Sequence, residues 1–297
     1  MTAADAAGAL REPGTQAAAA RPPRRGRANP NLVIGAVLVG LVVGMALTSF
    51  VWTPHNPTRV DTPARLAGYG ADHWLGTDKF GRDVLSQLMV GARTTLFVGV
   101  VAVGVAALLG TPVGVVAGMA RSRWLSEGIM RTNDLLLAFP ALLLAIMFGA
   151  VFGASTLTAM IAIGVATVPT FARIARARTL QVMSTEYVLA ARAAGRTRLA
   201  IALRHVLPNI FSLLIVQASV SFAIAVLAEA ALSFLGFGTA PPTPSWGRML
   251  QEAQELLSVA PRLAVWPGLA IALAVLGFNL LGDGLRDRFD PQLDDRR

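Results

Sequence analysis

The 297-residue chain contains no cysteine. That excludes a disulfide framework, an iron–sulfur centre and a thiolate zinc site. Histidine occurs only three times, at His55, His73 and His205, so no dense imidazole metal site is expected. No G-x-x-x-x-G-K-[ST] segment is present, so the chain is not expected to hydrolyse ATP itself. Nor does any Ser/His/Asp or metal-ligand spacing stand out, and the sequence offers no catalytic residue. Charge is scarce as well, at 14% of residues.

What fills the chain instead is apolar: 54% of residues are hydrophobic and the mean hydropathy is +0.58. This is the composition of a membrane protein. A net charge of +9 would suit nucleic acid, but the basic residues follow an alternation of loops across a bilayer, and no nucleic-acid partner is expected. The single lysine is Lys79.

Six apolar stretches are long enough, or nearly so, to cross a hydrocarbon core needing about 20 helical residues. They run Asn31–Trp52, Thr94–Ala120, Leu135–Gly153, Thr156–Thr170, Ile210–Ala231 and Leu263–Leu281. Residues 1–30, rich in Ala, Pro and Arg, are expected to form a disordered basic tail. Residues 31–91 are expected to hold the first span, an external loop and an interfacial helix. A membrane core is expected over 92–283, and a charged tail over 284–297. Prolines 140 and 169 are expected to kink helices or mark their ends. Gly110, Gly114 and Gly118 recur every four residues and read as a face for close helix contact. Arg121 to Asn133 is expected to be a short basic loop.

Six spans place both termini on one side. The tails, residues 120–133 and residues 172–207 then share that side and hold most of the basic residues. By the positive-inside rule this side is cytoplasmic.

Between the fourth and fifth spans, residues 186–209 are polar and Arg-rich. From Glu186 to Ala194 there is neither Gly nor Pro, and alanines at 190, 191, 193 and 194 favour helix with little bulk. Gly195 suits the left-handed closure of a helix, and Thr197 suits a cap for the next. Pro208 is expected to end the second helix at Leu207. A lipid-facing basic loop would share the charge of this segment without needing its Ala-Ala step or Gly hinge.

The spacing Ala190-Ala191, Gly195 and His205-x-Leu207-Pro208 resembles the EAA loop of ABC importer permeases, with Leu189 and His205 standing where the general pattern has Glu and Ile. Tyr187, Val188, Arg192, Arg204 and Asn209 make it similar to the narrower form found in dipeptide, oligopeptide and nickel permeases. Two further stretches strengthen the resemblance. One is Gly76-Thr77-Asp78 with Gly81-Arg82-Asp83, similar to the first external loop of C-type subunits. The other is Glu229 to Gly238 with Pro241, Pro242, Pro244, Trp246 and Gly247.

The resemblance implies an all-α type I ABC importer permease with a cytoplasmic coupling loop, 172–207, that docks on ATPase subunits through Glu186, Tyr187, Ala190, Ala191, Arg192, Gly195, Arg204, His205, Leu207 and Pro208. It also implies a B-type companion permease, two cytoplasmic ATPases carrying ATP and Mg, and an extracytoplasmic substrate-binding protein. The cargo would be di- or oligopeptides, or a related small solute, and the chain itself would bind no cofactor.

The residues also admit plainer roles. Thr77 or Asp78 is placed to cap a helix starting near Asp83, with Val84, Leu85, Leu88 and Met89 on one side. Asp78 and Asp83 supply too few oxygens for a calcium loop. Trp246 suits a membrane interface, in an extended proline-rich loop. Glu229, in or at the end of the fifth span, must face protein or water, either lining a pathway or tying helices together. An ion-coupled secondary transporter is the alternative, for which Glu229 is the one acidic candidate within a span.

Overall fold

A computed structural model describes residues 29–289, so the expectations for the N-terminal tail and for residues 290–297 fall outside the described residues. The described chain is helical without named strands, and its order is α1 (Pro30–Val51), α2 (Val84–Met119), α3 (Arg123–Ala138), α4 (Ala141–Phe152), α5 (Thr156–Met183), α6 (Glu186–Ala193), α7 (Arg198–Ile201), α8 (Leu207–Phe234), α9 (Trp246–Gln254) and α10 (Arg262–Phe289). Five stretches are long and apolar enough to cross a membrane: α1, α2, α5, α7 running into α8, and α10. The bent pair α3–α4 makes a sixth if counted as one span.

Small residues decide how these helices meet. A Cβ built at Gly110 would stand 2.7 Å from Phe171 Cβ, one at Gly114 2.7 Å from Ala175 Cβ, and one at Gly118 2.7 Å from Thr179 Cβ. The glycine face of α2 therefore lies directly on α5, as the four-residue spacing predicts. On α10, Gly277 lies against Leu38 and Gly284 against Leu32, which seats α1. Phe222 of α8 stacks on Phe278 of α10 with ring centroids 4.0 Å apart.

Four expectations are corrected. The interfacial helix near Asp83 is not separate, because α2 runs unbroken for 36 residues; Gly91, between the amphipathic start and the apolar stretch, is packed against Trp246 and stays helical, and no Pro intervenes before Pro112. Its cap is Asp83, not Thr77 or Asp78: the Asp83 carboxylate accepts from Ser86 N at 2.8 Å. The basic loop at 121–133 is mostly α3, whose Ser126 and Asn133 are buried and whose Ser126 Oγ accepts from Arg176 Nε of α5 at 3.0 Å. The expected third span is broken, since α3 and α4 meet at 82°. There Phe139, extended at φ −84° and ψ 129°, obeys the restriction that Pro140 imposes on its neighbour. Pro169, by contrast, stays inside α5, buried in the bundle.

Candidate functional site

α6 opens with Glu186 and closes near Arg192, charges that complement the helix dipole at each end. Its stop is a complete Schellman motif. Arg196 N donates to Ala191 O at 3.1 Å and Gly195 N to Arg192 O at 3.0 Å. The motif needs a left-handed residue, and Gly195 supplies it at φ 76°. Thr197 then caps α7, its hydroxyl accepting from Ala200 N at 3.2 Å.

The expected break at Leu207-Pro208 does not occur. Residues Ala202–Val206 form a π turn that passes directly into α8, and Leu207 keeps helical angles of φ −56° and ψ −45°. The wider turn replaces the i−4 hydrogen bond, Leu207 N donating to Ala202 O, so the helix continues through the proline instead of ending. Pro208 sits in the first turn of α8.

The element is held from below and open above. Val188, Ile201, Val206 and Ile210 are buried with Val115, Ala175 and Met183, at the ends of α2 and α5. Leu207 is half-buried against the same cluster. Tyr187 and His205 lie with ring centroids 5.8 Å apart, and Asn209 Nδ2 donates to the Tyr187 hydroxyl at 3.2 Å and to His205 O at 2.7 Å. Facing away are Leu189, Leu199 and Leu203, all exposed. Ala190, Arg192, Gly195, Arg196, Arg198 and Arg204 are exposed beside them, and Ala191 is half-buried. The result is a knob anchored on its underside, with apolar and cationic side chains exposed on the other.

The second cluster lies before α2. Thr77 is buried, donating to Ala64 O and accepting from Ala67 N at 2.8 Å. Asp78 accepts from Phe80 N, Arg82 N, Arg82 Nε and Gln87 Nε2 at 2.6–3.0 Å. Arg82 also pairs with Glu252 of α9, which accepts from Arg248 Nε at 3.0 Å as well. Gly76 and Gly81 both take φ 76°, and a side chain on Gly81 would collide with Asp61. These residues organise a loop and join it to α9.

Helix α9 is absent from the sequence reading, although Arg248 and Glu252 at i,i+4 and buried Met249 and Ala253 mark it. It corrects the assignment of Trp246 to a membrane interface: Trp246 is fully buried and its indole N–H donates to Leu88 O at 3.0 Å. Pro244 O accepts from Thr94 Oγ1 at 3.0 Å, and Gly247 lies against Ala230. Pro242 remains exposed. Glu229 is 1% exposed; its Oε1 accepts from Ser233 Oγ at 2.6 Å and Thr239 Oγ1 at 3.3 Å, while Oε2 has no partner among the described residues. In this chain it ties the end of α8 to the loop that follows.

Residues 110–295 match the family described as binding-protein-dependent transport system inner membrane component. The chain is 40% identical to the dipeptide transport system permease protein DppC of Alkalihalophilus pseudofirmus over 89% of its own length and 87% of that protein's. It is also 40% identical to the glutathione transport system permease protein GsiD of Pectobacterium atrosepticum, over 87% of each. In fold it is similar to an inward-facing structure of the MetNI methionine ABC transporter, with a TM-score of 0.58 at 20% identity over 69% of this chain and 97% of that one. The chain thus belongs to the binding-protein-dependent transport system inner membrane components, in the branch formed by the peptide ABC importer permeases.

Proposed function

We propose that this chain is the C-type half of a heterodimeric peptide importer, and that the α6–α7 knob is the part by which cytoplasmic ATPases move it. The partners in this reading are a B-type permease, two ATPases that hold ATP and Mg, and an extracytoplasmic binding protein that delivers the peptide. Both termini and the knob face the cytoplasm. The relatives carrying dipeptides and glutathione support a short peptide as cargo.

One observation carries the reading: Leu189, Leu199 and Leu203 stand exposed among arginines on an element whose underside is locked to α2, α5 and α8. Closure of the ATPases would move such an element as one body, and the attached helices with it. That motion transmits work only if the partner binds the two states of the bundle unequally.

Because the chain has no cysteine, single cysteines report on it cleanly. Arg196→Cys is expected to react with a membrane-impermeant maleimide only after the membrane is opened from the cytoplasmic side, and to crosslink to an ATPase subunit. Labelling from outside in intact cells would overturn the orientation, and crosslinking to no ATPase would overturn the coupling role.

A further inference from the structure

The loop between α1 and α2 brings together two of the three histidines and a buried carboxylate. His73 Nδ1 lies 2.9 Å and His55 Nδ1 3.7 Å from the same oxygen, Asp83 Oδ1. Ligand atoms of the three residues all lie within 4.8 Å of one another, and the two imidazole rings are 4.5 Å apart. A tetrahedral zinc ion with bonds of about 2.0–2.1 Å has ligand atoms roughly 3.3 Å apart. The two measured edges bracket that value.

The three groups are also held in place. Asp83 Oδ2 is occupied by Ser86 N at 2.8 Å and Ser86 Oγ at 2.7 Å, which leaves Oδ1, within hydrogen-bond distance of His73 Nδ1, as the oxygen turned toward both imidazoles. Ser86 Oγ in turn accepts from the backbone N–H of His55 at 3.0 Å. His73 O accepts from Gly70 N and Gly76 N, each at 3.0 Å, which fixes the turn that presents its ring. Outer contacts of this kind orient ligands at metal sites. Side-chain exposure falls from 43% at His55 to 18% at His73 and 1% at Asp83, so the donor set opens to solvent on the His55 side. A water can fill the fourth position from there.

We propose that His55, His73 and Asp83 form a binding site for a divalent cation of the zinc type, with two imidazole nitrogens, one carboxylate oxygen and a solvent ligand. The ion would pin the chain leaving α1 and the turn around His73 to the start of α2. It is a resident tie, separate from any cargo. The low histidine count makes such a site invisible from composition, because positions 55, 73 and 83 share no metal-ligand spacing.

The test uses the full chain in its membrane complex, purified with a histidine-free affinity tag, stripped by chelator and titrated with zinc chloride against a chromophoric competitor. The wild type is expected to bind one zinc that His55→Ala and His73→Gln each weaken by at least the roughly 10–100-fold that outer-shell changes alone cost. The double variant is expected to lose it, and His205→Ala to keep it. Cobalt loading is expected to give the intense visible bands of a four-coordinate ion in the wild type and not in the double variant. His73→Gln retains an N–H donor toward Asp83, and His55 is the most exposed of the three, so either variant that assembles carries the test. Absence of the extra zinc from wild type, or its retention in the double variant, would overturn the proposal and leave the cluster as a hydrogen-bonded helix cap.

Discussion

The amide of Asn209 donates to the hydroxyl of Tyr187 across 3.2 Å, joining the first turn of α6 to the first turn of α8. The same amide reaches His205 O at 2.7 Å, so α6, the π turn and α8 are fastened at one point. A push on α6 would therefore pass directly into α8, part of a candidate membrane span. Tyr187→Phe removes this tie and little else. It is expected to cost about 0.5–1.5 kcal/mol of stability at most, while the number of peptides imported per ATP hydrolysed falls. Measuring uptake and ATPase activity on one reconstituted preparation checks this, and an unchanged ratio counts against the route.

Gly195 separates backbone strain from steric blocking. Its φ is 76°, yet a Cβ there would meet no described atom within 4 Å. Gly195→Ala is thus expected to lose about 1–2 kcal/mol through the left-handed backbone alone, with the complex still assembling and transporting. Gly195→Arg adds a long side chain on the exposed surface of the knob. It is expected to abolish uptake while the ATPases remain active and the complex remains intact. Full uptake by the arginine variant would remove the knob from the coupling pathway.

Glu229 poses a choice between tie and transport group. Its Oε1 takes both hydroxyl bonds and its Oε2 has no described partner, so Glu229→Gln can keep the same acceptor without a charge. Near-normal assembly and uptake are expected. Glu229→Leu strands the hydroxyls of Ser233 and Thr239, at about 1–3 kcal/mol for each unsatisfied group, and is expected to lower the melting temperature of the purified complex. Loss of uptake in an assembled Glu229→Gln complex would instead mark the carboxylate as part of the transport path.

The spans were legible wherever one long apolar run coincided with one helix, as in α1 and α10. Failures have local causes. Arg121 to Asn133 reads as a basic loop because its charges dominate, yet it forms α3, whose Ser126 is held by Arg176 of α5, a partner 50 residues away. Pro140 and Pro169 look alike in sequence. The first breaks the chain and the second is carried by its helix, which only the packing around each distinguishes. At the knob, the local signals at Gly195 and Thr197 were readable because a Schellman stop and a threonine cap use neighbouring residues. Its anchors Val188, Ile201 and Val206 were not, because their burial depends on Val115 and Ala175 of other helices. The His55–His73–Asp83 cluster was hidden for the same reason.

The α2–α5 contact offers a paired test in which one chemical change has opposite results. Gly104 and Gly114 both lie in α2, but a Cβ at Gly104 meets nothing within 4 Å, whereas one at Gly114 would stand 2.7 Å from Ala175 Cβ and 2.9 Å from Arg176 N. Backbone and a buried methyl cannot yield cheaply, so Gly114→Ala is expected to force the helices apart at about 1–3 kcal/mol or more. Gly104→Ala gains helix propensity, up to about 0.8–1.0 kcal/mol by measurements on water-soluble helices. The two changes bear differently on function as well, since Ala175 belongs to the cluster that seats the knob. Gly114→Ala is expected to lower both the melting temperature and the coupling of uptake to ATP hydrolysis, while Gly104→Ala leaves both at or above wild type. If the two variants melt alike, the glycine face does not set the distance between α2 and α5.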